Sequence, residues 1–492
     1  MTRTGPLALA ALVFLMAAAP APRLENSDFD QVTPAQTPAA WSLTSGKELY
    51  TLSSDPAGHA GFAAVLRSKG PSVEFGSTSQ TISALPYRGA RIRFRAWVRV
   101  EAREGGTAGL WLRVDLTQRM RGFFDNMADR PITDGSWKAY AIEAYVGRDA
   151  QTISAGLILN GNGAAWIDDA SIEVIDASPD RTGASLGHTA KAYLDKALET
   201  LRQSHINSAR ADWATLWGDA YAAAEGARTP AQTHAAIQLV IAALGERHTF
   251  FSPPRPPRPP AGSPATSGSP FVNSPPTGQR LGRVGLVALP GLLTQTPEEM
   301  AFGDTYTTIL HALLKSHDDA GVCGWIVDLR DDVGGNMWPM LNGLAPILGP
   351  GPYGAFVTPG GERMRWISQG GRIIAEGTGQ EGLSWPVLSA AVAPVAVLTG
   401  PDTISSGEMT TVAFRGRPDT RFFGQPTGGF TTANSTVPME DGAYLIVTSS
   451  YIEDRNGQGF TGKITPDEVV PVEGAEAAAM AWLATRGCGP AT

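Results

Sequence analysis

The stretch Val395-Ala396-Val397-Leu398-Thr399-Gly400-Pro401-Asp402-Thr403-Ile404-Ser405-Ser406-Gly407-Glu408 passes from an unbroken apolar run through a Gly-Pro-Asp turn into a helical start. A short apolar run with no polar alternation fits a strand buried on both faces, the state of a strand inside a parallel sheet. Ser406 to Phe414 then reads as a helix. The same order occurs upstream, where Gly324-Trp325-Ile326-Val327-Asp328-Leu329 is a buried strand and Gly335 to Leu348 a helix. Further upstream, Val284 to Leu289 is strand-like and Tyr306 to Leu314 helix-like. Alternation of strand and helix predicts an α/β domain of the βαβ type over residues 282–475.

The turns of such a domain carry its chemistry, because ligands bind outside the carboxyl ends of the strands. Ser405 lies in one of these turns, directly before a helix whose first N–H groups and positive potential suit an oxyanion. Gly334 and Gly335 lie in the turn after the preceding buried strand and offer backbone N–H groups with no side chain in the way. A serine hydroxyl needs a base at neutral pH. His248 is a candidate, in Leu244-Gly245-Glu246-Arg247-His248-Thr249-Phe250-Phe251. Each feature also has a plain structural reading. Ser405-x-x-Glu408 is a capping box, Gly-Gly is a common turn, and His248 is one of seven histidines.

Outside this domain the chain changes character. Residues 1–21 combine a short positive start, an apolar run from Pro6 to Ala19 and small residues at Ala19-Pro20-Ala21. That pattern predicts a secretory leader and an exported protein, periplasmic or secreted. No later segment is apolar for the ~18 residues a membrane span requires, so no transmembrane anchor is expected. Residues 24–178 read as short alternating strands, clearest in Arg91 to Val100, and predict an N-terminal β-sandwich accessory domain. With the run Asn26-Ser27-Asp28-Phe29 and the ending Trp166-Ile167-Asp168, this stretch resembles jelly-roll, carbohydrate-binding-like accessory domains. Residues 186–250 show helical spacing in Ala192, Leu194, Ala197, Leu198 and Leu201 and predict a small helical domain. Residues 252–278 are a Pro-rich spacer, and 476–492 a C-terminal helix and tail. The two cysteines, Cys323 and Cys488, stand 165 residues apart, and an exported protein has the choice of pairing them or leaving both as thiols. A net charge of −8 without basic runs excludes nucleic acid as a partner, and no Cys/His spacing of the metal-binding kind occurs.

Five segments in order resemble the tail-specific (C-terminal processing) serine peptidases and the tricorn core protease. They are Gly245-Glu246-Arg247-His248-Thr249, Asp328-Leu329-Arg330-Asp331-Asp332-Val333-Gly334-Gly335, Ser405-Ser406-Gly407-Glu408, Gly424-Gln425-Pro426-Thr427-Gly428-Gly429 and Ile464-Thr465-Pro466-Asp467. The family pattern for the second is Asp-Leu-Arg-x-Asn-x-Gly-Gly, so Asp332 stands where Asn is usual. The resemblance implies a crotonase-like α/β core, a peptide or protein substrate and no cofactor or metal. It makes Ser405 the nucleophile, with the Ser406 N–H joined by that of Gly334 or Gly335 in the oxyanion hole. Many members use a Lys base just after the Gly-Glu-Pro-Thr-x-Gly turn. Here that place is Phe430, and no Lys lies between Ser405 and Lys463. The resemblance is therefore to the tricorn-like branch, which implies His248 as base. The carboxylate that would orient His248 is open between Glu453, Asp454 and Glu408, with Glu453 taken as the candidate and a Thr hydroxyl as the other choice. The 34 residues between His248 and Arg283 leave no room for the peptide-gripping PDZ domain often inserted there. The alternative function is a non-catalytic envelope protein that binds a hydrophobic or glycan ligand, with glycan contact through the β-sandwich.

Overall fold

The computed structural model describes residues 23–488 except 73, 118–119, 255–272, 295, 380–381 and 383. The leader expected over 1–21, most of the Pro-rich spacer and the last residues of the tail lie outside the described residues. The chain divides into two compact units, one of residues up to Asp195 with Asp212–Gly245, the other of Lys196–Ala211 with Glu246 onward. Among the described residues, no helix is long and apolar enough to cross a membrane.

The first unit holds strands β1 (Ser42–Ser45), β2 (Tyr50–Asp55), β3 (Ala63–Ser68), β4 (Phe75–Ser83), β5 (Arg91–Leu116), β6 (Arg121–Asp125), β7 (Lys138–Tyr145) and β8 (Ala150–Asp176). β5 and β8 pair antiparallel along their whole length, and their register shifts between Arg103 and Thr107. Gly105, Gly161 and Gly163 take positive φ at this place, a conformation that side chains disfavour. Beyond it, β8 exchanges its other neighbour from β4 to β3, and β5 has β7 beside one half and β6 beside the other. Alternate residues of both halves, among them Ile92, Phe94, Val98, Leu110, Leu112 and Val114, enter one core.

Helices α1 (His188–Ser204), α2 (Trp213–Ala223) and α3 (His234–Ala243) follow. Residues 186–250 carry the expected helices and are divided between the two compact units. α2 and α3 belong to the first unit, where Leu239 and Ala242 of α3 complete the strand core, whereas Lys196–Ala211 belongs to the second. An amphipathic helix shows that one face is buried, not which neighbour buries it.

The second unit contains β9 (Phe250–Ser252), β10 (Thr277–Leu281), β11 (Val284–Ala288), α4 (Pro297–Asp319), β12 (Gly324–Asp328) and α5 (Met337–Leu348). After these come β13 (Gly354–Val357), β14 (Arg363–Gln369), β15 (Arg372–Ala375), β16 (Val395–Thr399), α6 (Ser406–Phe414) and β17 (Thr420–Gly424). β18 (Thr432–Pro438), β19 (Tyr444–Glu453), β20 (Gly459–Phe460), β21 (Glu468–Val469) and α7 (Ala475–Thr485) complete it. One sheet has the order β10-β11-β12-β16-β17-β21 and is parallel except at β10. Its apolar runs divide with period two. Val287, Trp325, Val327, Val395, Val397 and Phe422 pack with α4, α5 and α6 on one face. Val284, Leu286, Ile326, Ala396, Leu398 and Phe423 pack on the other with Ala475, Ala479 and Leu483 of α7. Burial on both faces explains why these strands carry no polar alternation. Cys323 and Cys488 form a disulfide that ties the start of β12 to the end of α7. The other sheet, β15-β14-β13-β19-β18 with β9 and β20 along β19, is antiparallel.

Trp325 is fully buried and donates its Nε1–H to the Ala390 carbonyl at 2.9 Å. Trp325→Ala is expected to lower the unfolding free energy by about 3–5 kcal/mol, measured by denaturant titration.

Candidate active site

β12 and β16 are adjacent parallel strands, so the turns after them emerge side by side. The two turns are laced together. Ile404 donates its N–H to the Asp332 carbonyl at 3.0 Å, and the Thr403 hydroxyl donates to the Leu329 carbonyl at 2.7 Å. The Ser406 hydroxyl donates to the Gly335 carbonyl at 2.6 Å. Ser405 sits between them with φ 54° and ψ −114°, a conformation rare for a residue with a side chain. Gly334, at φ 91°, faces it so closely that a Cβ there would lie 2.7 Å from the Ser405 Cβ.

Glu408 holds the strained turn. It is fully buried, and its carboxylate accepts the N–H groups of Ser405 (3.1 Å), Gly429 (2.8 Å) and Phe430 (2.7 Å) and the Thr427 hydroxyl. Burial raises its pKa, and these donors pull against that rise. The capping-box reading of Ser405 and Glu408 is therefore realised in the same residues that form the candidate nucleophile turn.

His248 comes from the other sheet, two residues before β9. Glu246 fixes its backbone, accepting the His248 N–H and the Thr249 N–H, each at 2.7 Å. The imidazole is buried, with its Nε2 3.0 Å from the Ser405 Oγ and its Nδ1 2.9 Å from the Thr432 Oγ1 at the start of β18. The Phe430 ring meets it edge-on, with centroids 5.3 Å apart. Burial lowers the His248 pKa, with a smaller opposing influence from the Glu246 charge. The arrangement can hold a neutral imidazole beside a serine hydroxyl, with Thr432 setting the ring orientation.

Residues 283–470 match the sequence profile of Peptidase family S41. These residues form a peptidase family S41 domain. The nisin-resistance protein of Lactococcus lactis subsp. lactis is 32% identical over 182 residues, which cover 37% of this chain and 55% of that protein. A Bacillus subtilis (strain 168) protein named as the uncharacterized HTH-type transcriptional regulator YbfP is 36% identical over 106 residues, 21% of this chain and 36% of that one. The chain thus spans about half the length of the first of these curated relatives and about a third of the second. A solved lipoprotein structure from Streptococcus agalactiae superposes with a TM-score of 0.50 at 22% identity, covering 61% of this chain and 97% of that chain, a likeness of fold.

Two of the residues expected in the S41 site are placed elsewhere. Glu453 does not meet His248, because its carboxylate grips the Arg363 guanidinium at 3.0 and 3.2 Å. Asp454 accepts the N–H groups of Asn456 and Gln458 within its own turn, and Glu408 is occupied as described. The partner of His248 is a Thr hydroxyl, but at Thr432, a residue with no motif around it to single it out. The Gly334 N–H is not open to an oxyanion either, since it donates to the Asp332 Oδ1 at 3.0 Å. Gly335 and Ser406 remain the pair of expected donors, and the Ser406 N–H, at the first helical position, has no intrahelical acceptor.

Asp332 is fully buried, its Oδ2 has no partner among the described residues, and burial pushes its pKa up to about 8. A carboxyl whose pKa rises on folding stabilises the fold fully below its unfolded value of 3.8, and that contribution is lost as pH climbs through the folded value. Asp332→Asn cannot ionise. Its stability relative to the native chain is expected to rise between about pH 4 and pH 8 and to level off above, as followed by urea unfolding at a series of pH values.

Proposed function

We propose that the chain is an exported serine peptidase in which Ser405 forms the acyl-enzyme and His248 is the general base. The observation that carries this reading is the 3.0 Å approach of the His248 Nε2 to the Ser405 Oγ at the head of α6. The S41 match supports peptide hydrolysis as the reaction class. In this reading, His248 takes the Ser405 proton as the oxygen attacks a peptide carbonyl, then delivers it to the departing amine. The Gly335 and Ser406 N–H groups would hold the developing oxyanion. Water, deprotonated by the same imidazole, then releases the acyl group. Thr432 fixes the ring by a neutral hydrogen bond, which supports the imidazolium less than a carboxylate does. Phe430 supplies the apolar cover that keeps the base neutral.

The cleft around Ser405 has a volume of about 870 Å³ and is lined by Met337, Trp338, Phe356, Met364, Phe430 and Tyr444, among others. Such walls suit an extended peptide with apolar side chains. Export is read from the leader-like segment 1–21 and from the Cys323–Cys488 disulfide, since disulfides persist in oxidising compartments. We read the first unit as a jelly-roll-like sandwich and the second as a crotonase-like core, the finer folds that the resemblance implies. Glycan contact is proposed for the first unit only through its outer-face aromatics Trp97 and Trp137. One face of Trp97 is already stacked on His59, with centroids 3.8 Å apart.

Fluorophosphonate treatment of the mature protein is expected to place one adduct on Ser405, located by peptide mass spectrometry and absent from Ser405→Ala. An unlabelled, folded protein would instead favour the binding-protein alternative. His248→Ala is expected to reduce kcat by about 10²- to 10⁴-fold, and Thr432→Val by less. Because burial lowers the His248 pKa, the acid limb of kcat/KM is expected to have its midpoint below the ordinary His value of 6.5. A midpoint above that value would count against His248 as the base.

A further inference from the structure

Beside the Ser405 cleft lies a second cavity of about 420 Å³, and the two share Thr294, Asn336, Trp338 and Ala375 in their walls. Asn336 directly follows Gly335, so the side cavity begins next to the expected oxyanion donor. Its walls are largely polar, and Arg372, at the start of β15, is its cationic member. The neighbouring arginines of β14 are each held by a carboxylate, Arg363 by Glu453 and Arg365 by Glu376. Arg372 differs. Its Nε is buried without a hydrogen-bond partner, and among the described residues no carboxylate pairs with its guanidinium. Asp304 is the acidic residue of the same lining and is exposed to solvent.

A half-buried guanidinium with no counter-charge among the described residues has lost part of its hydration, and the buried Arg372 Nε has no hydrogen bond to offset that loss. The complement to its planar donor fork is a carboxylate, which accepts two parallel N–H bonds. We propose that this cavity is a substrate subsite in which Arg372 binds a carboxylate of the peptide, supplied by an acidic side chain or by the chain end. The proposal rests on the peptidase reading of the Ser405 cleft. It assigns selectivity to β15, on a chain whose sequence leaves no room for an inserted PDZ domain before Arg283. Binding at Arg372 acts before the chemical step, so its effect falls on KM more than on kcat.

The test uses decapeptides in which each position in turn carries Asp or Asn, each made with a free and an amidated C-terminus. Hydrolysis is followed by mass spectrometry with the native chain, Arg372→Gln and Arg372→Lys. The native chain is expected to favour a carboxylate over its amide by about tenfold in kcat/KM at one position, chiefly through KM. The Asp/Asn series and the free/amidated series separate the two sources of that carboxylate. In Arg372→Gln the ratio is expected to fall to about one, with Arg372→Lys between the two. Equal hydrolysis of acid and amide by the native chain would overturn the proposal, as would an Arg372→Gln loss that is the same for both. Cleavage of the neutral peptides, abolished in Ser405→Ala, reports the peptidase reading separately. If no peptide is cleaved, that reading fails, and calorimetric binding of the same peptides to the native chain and Arg372→Gln decides the subsite.

Discussion

Gly334 and the Ser405 turn meet at a distance that admits no Cβ, and the rest of the site is arranged around that contact. β12 and β16 lie in parallel register, so their carboxyl ends deliver two turns to the same place. Side chains would keep those turns apart. Two successive glycines at positive φ let the backbone of one approach the serine of the other, and the Ile404 to Asp332 and Ser406 to Gly335 hydrogen bonds close the gap. The positive φ of Ser405 is unfavourable by itself and persists because the surroundings over-determine it.

Glu408 is the chief of those surroundings. A buried carboxylate is stable only when donors surround it, and here they come from the Ser405 turn and from the Thr427–Phe430 turn. One residue therefore caps α6, holds Ser405 in its strained conformation and positions Phe430 against the His248 ring. Local helix chemistry and site chemistry are not rivals at this place, since the cap is what fixes the turn.

His248 reaches this turn from the antiparallel sheet, where β9 and β18 flank β19. His248 and Thr432 lie 184 positions apart, and the sheet brings their side chains to 2.9 Å. The parallel sheet thus supplies the hydroxyl and the backbone donors, and the antiparallel sheet supplies the imidazole and its orienting group. The apolar cover from Phe430 favours a neutral ring, and the short hydroxyl of Thr432 holds it without a charge.

Much of this was legible along the chain. Unbroken apolar runs at Gly324–Leu329 and Val395–Leu398 marked strands covered on both sides, because a strand with one wet face must alternate. Ser405, His248, Gly335 and Ser406 each sat in a segment whose residue types had a chemical reason to be together. The partner of His248 was not legible, because Thr432 carries no local pattern and sequence order says nothing of which strand lies beside β19. Nor was the fate of Glu453, which only the neighbouring β14 settles by presenting Arg363. The helices of 186–250 showed their apolar faces but not the division of those faces between two units. The Gly334 N–H was lost to Asp332 within a turn too short to be read from composition. Local periodicity and motif chemistry thus determined the elements and the candidate site residues. Long-range strand pairing decided which polar atoms meet, because hydrogen-bond partners are set by distances that only the assembled sheets define.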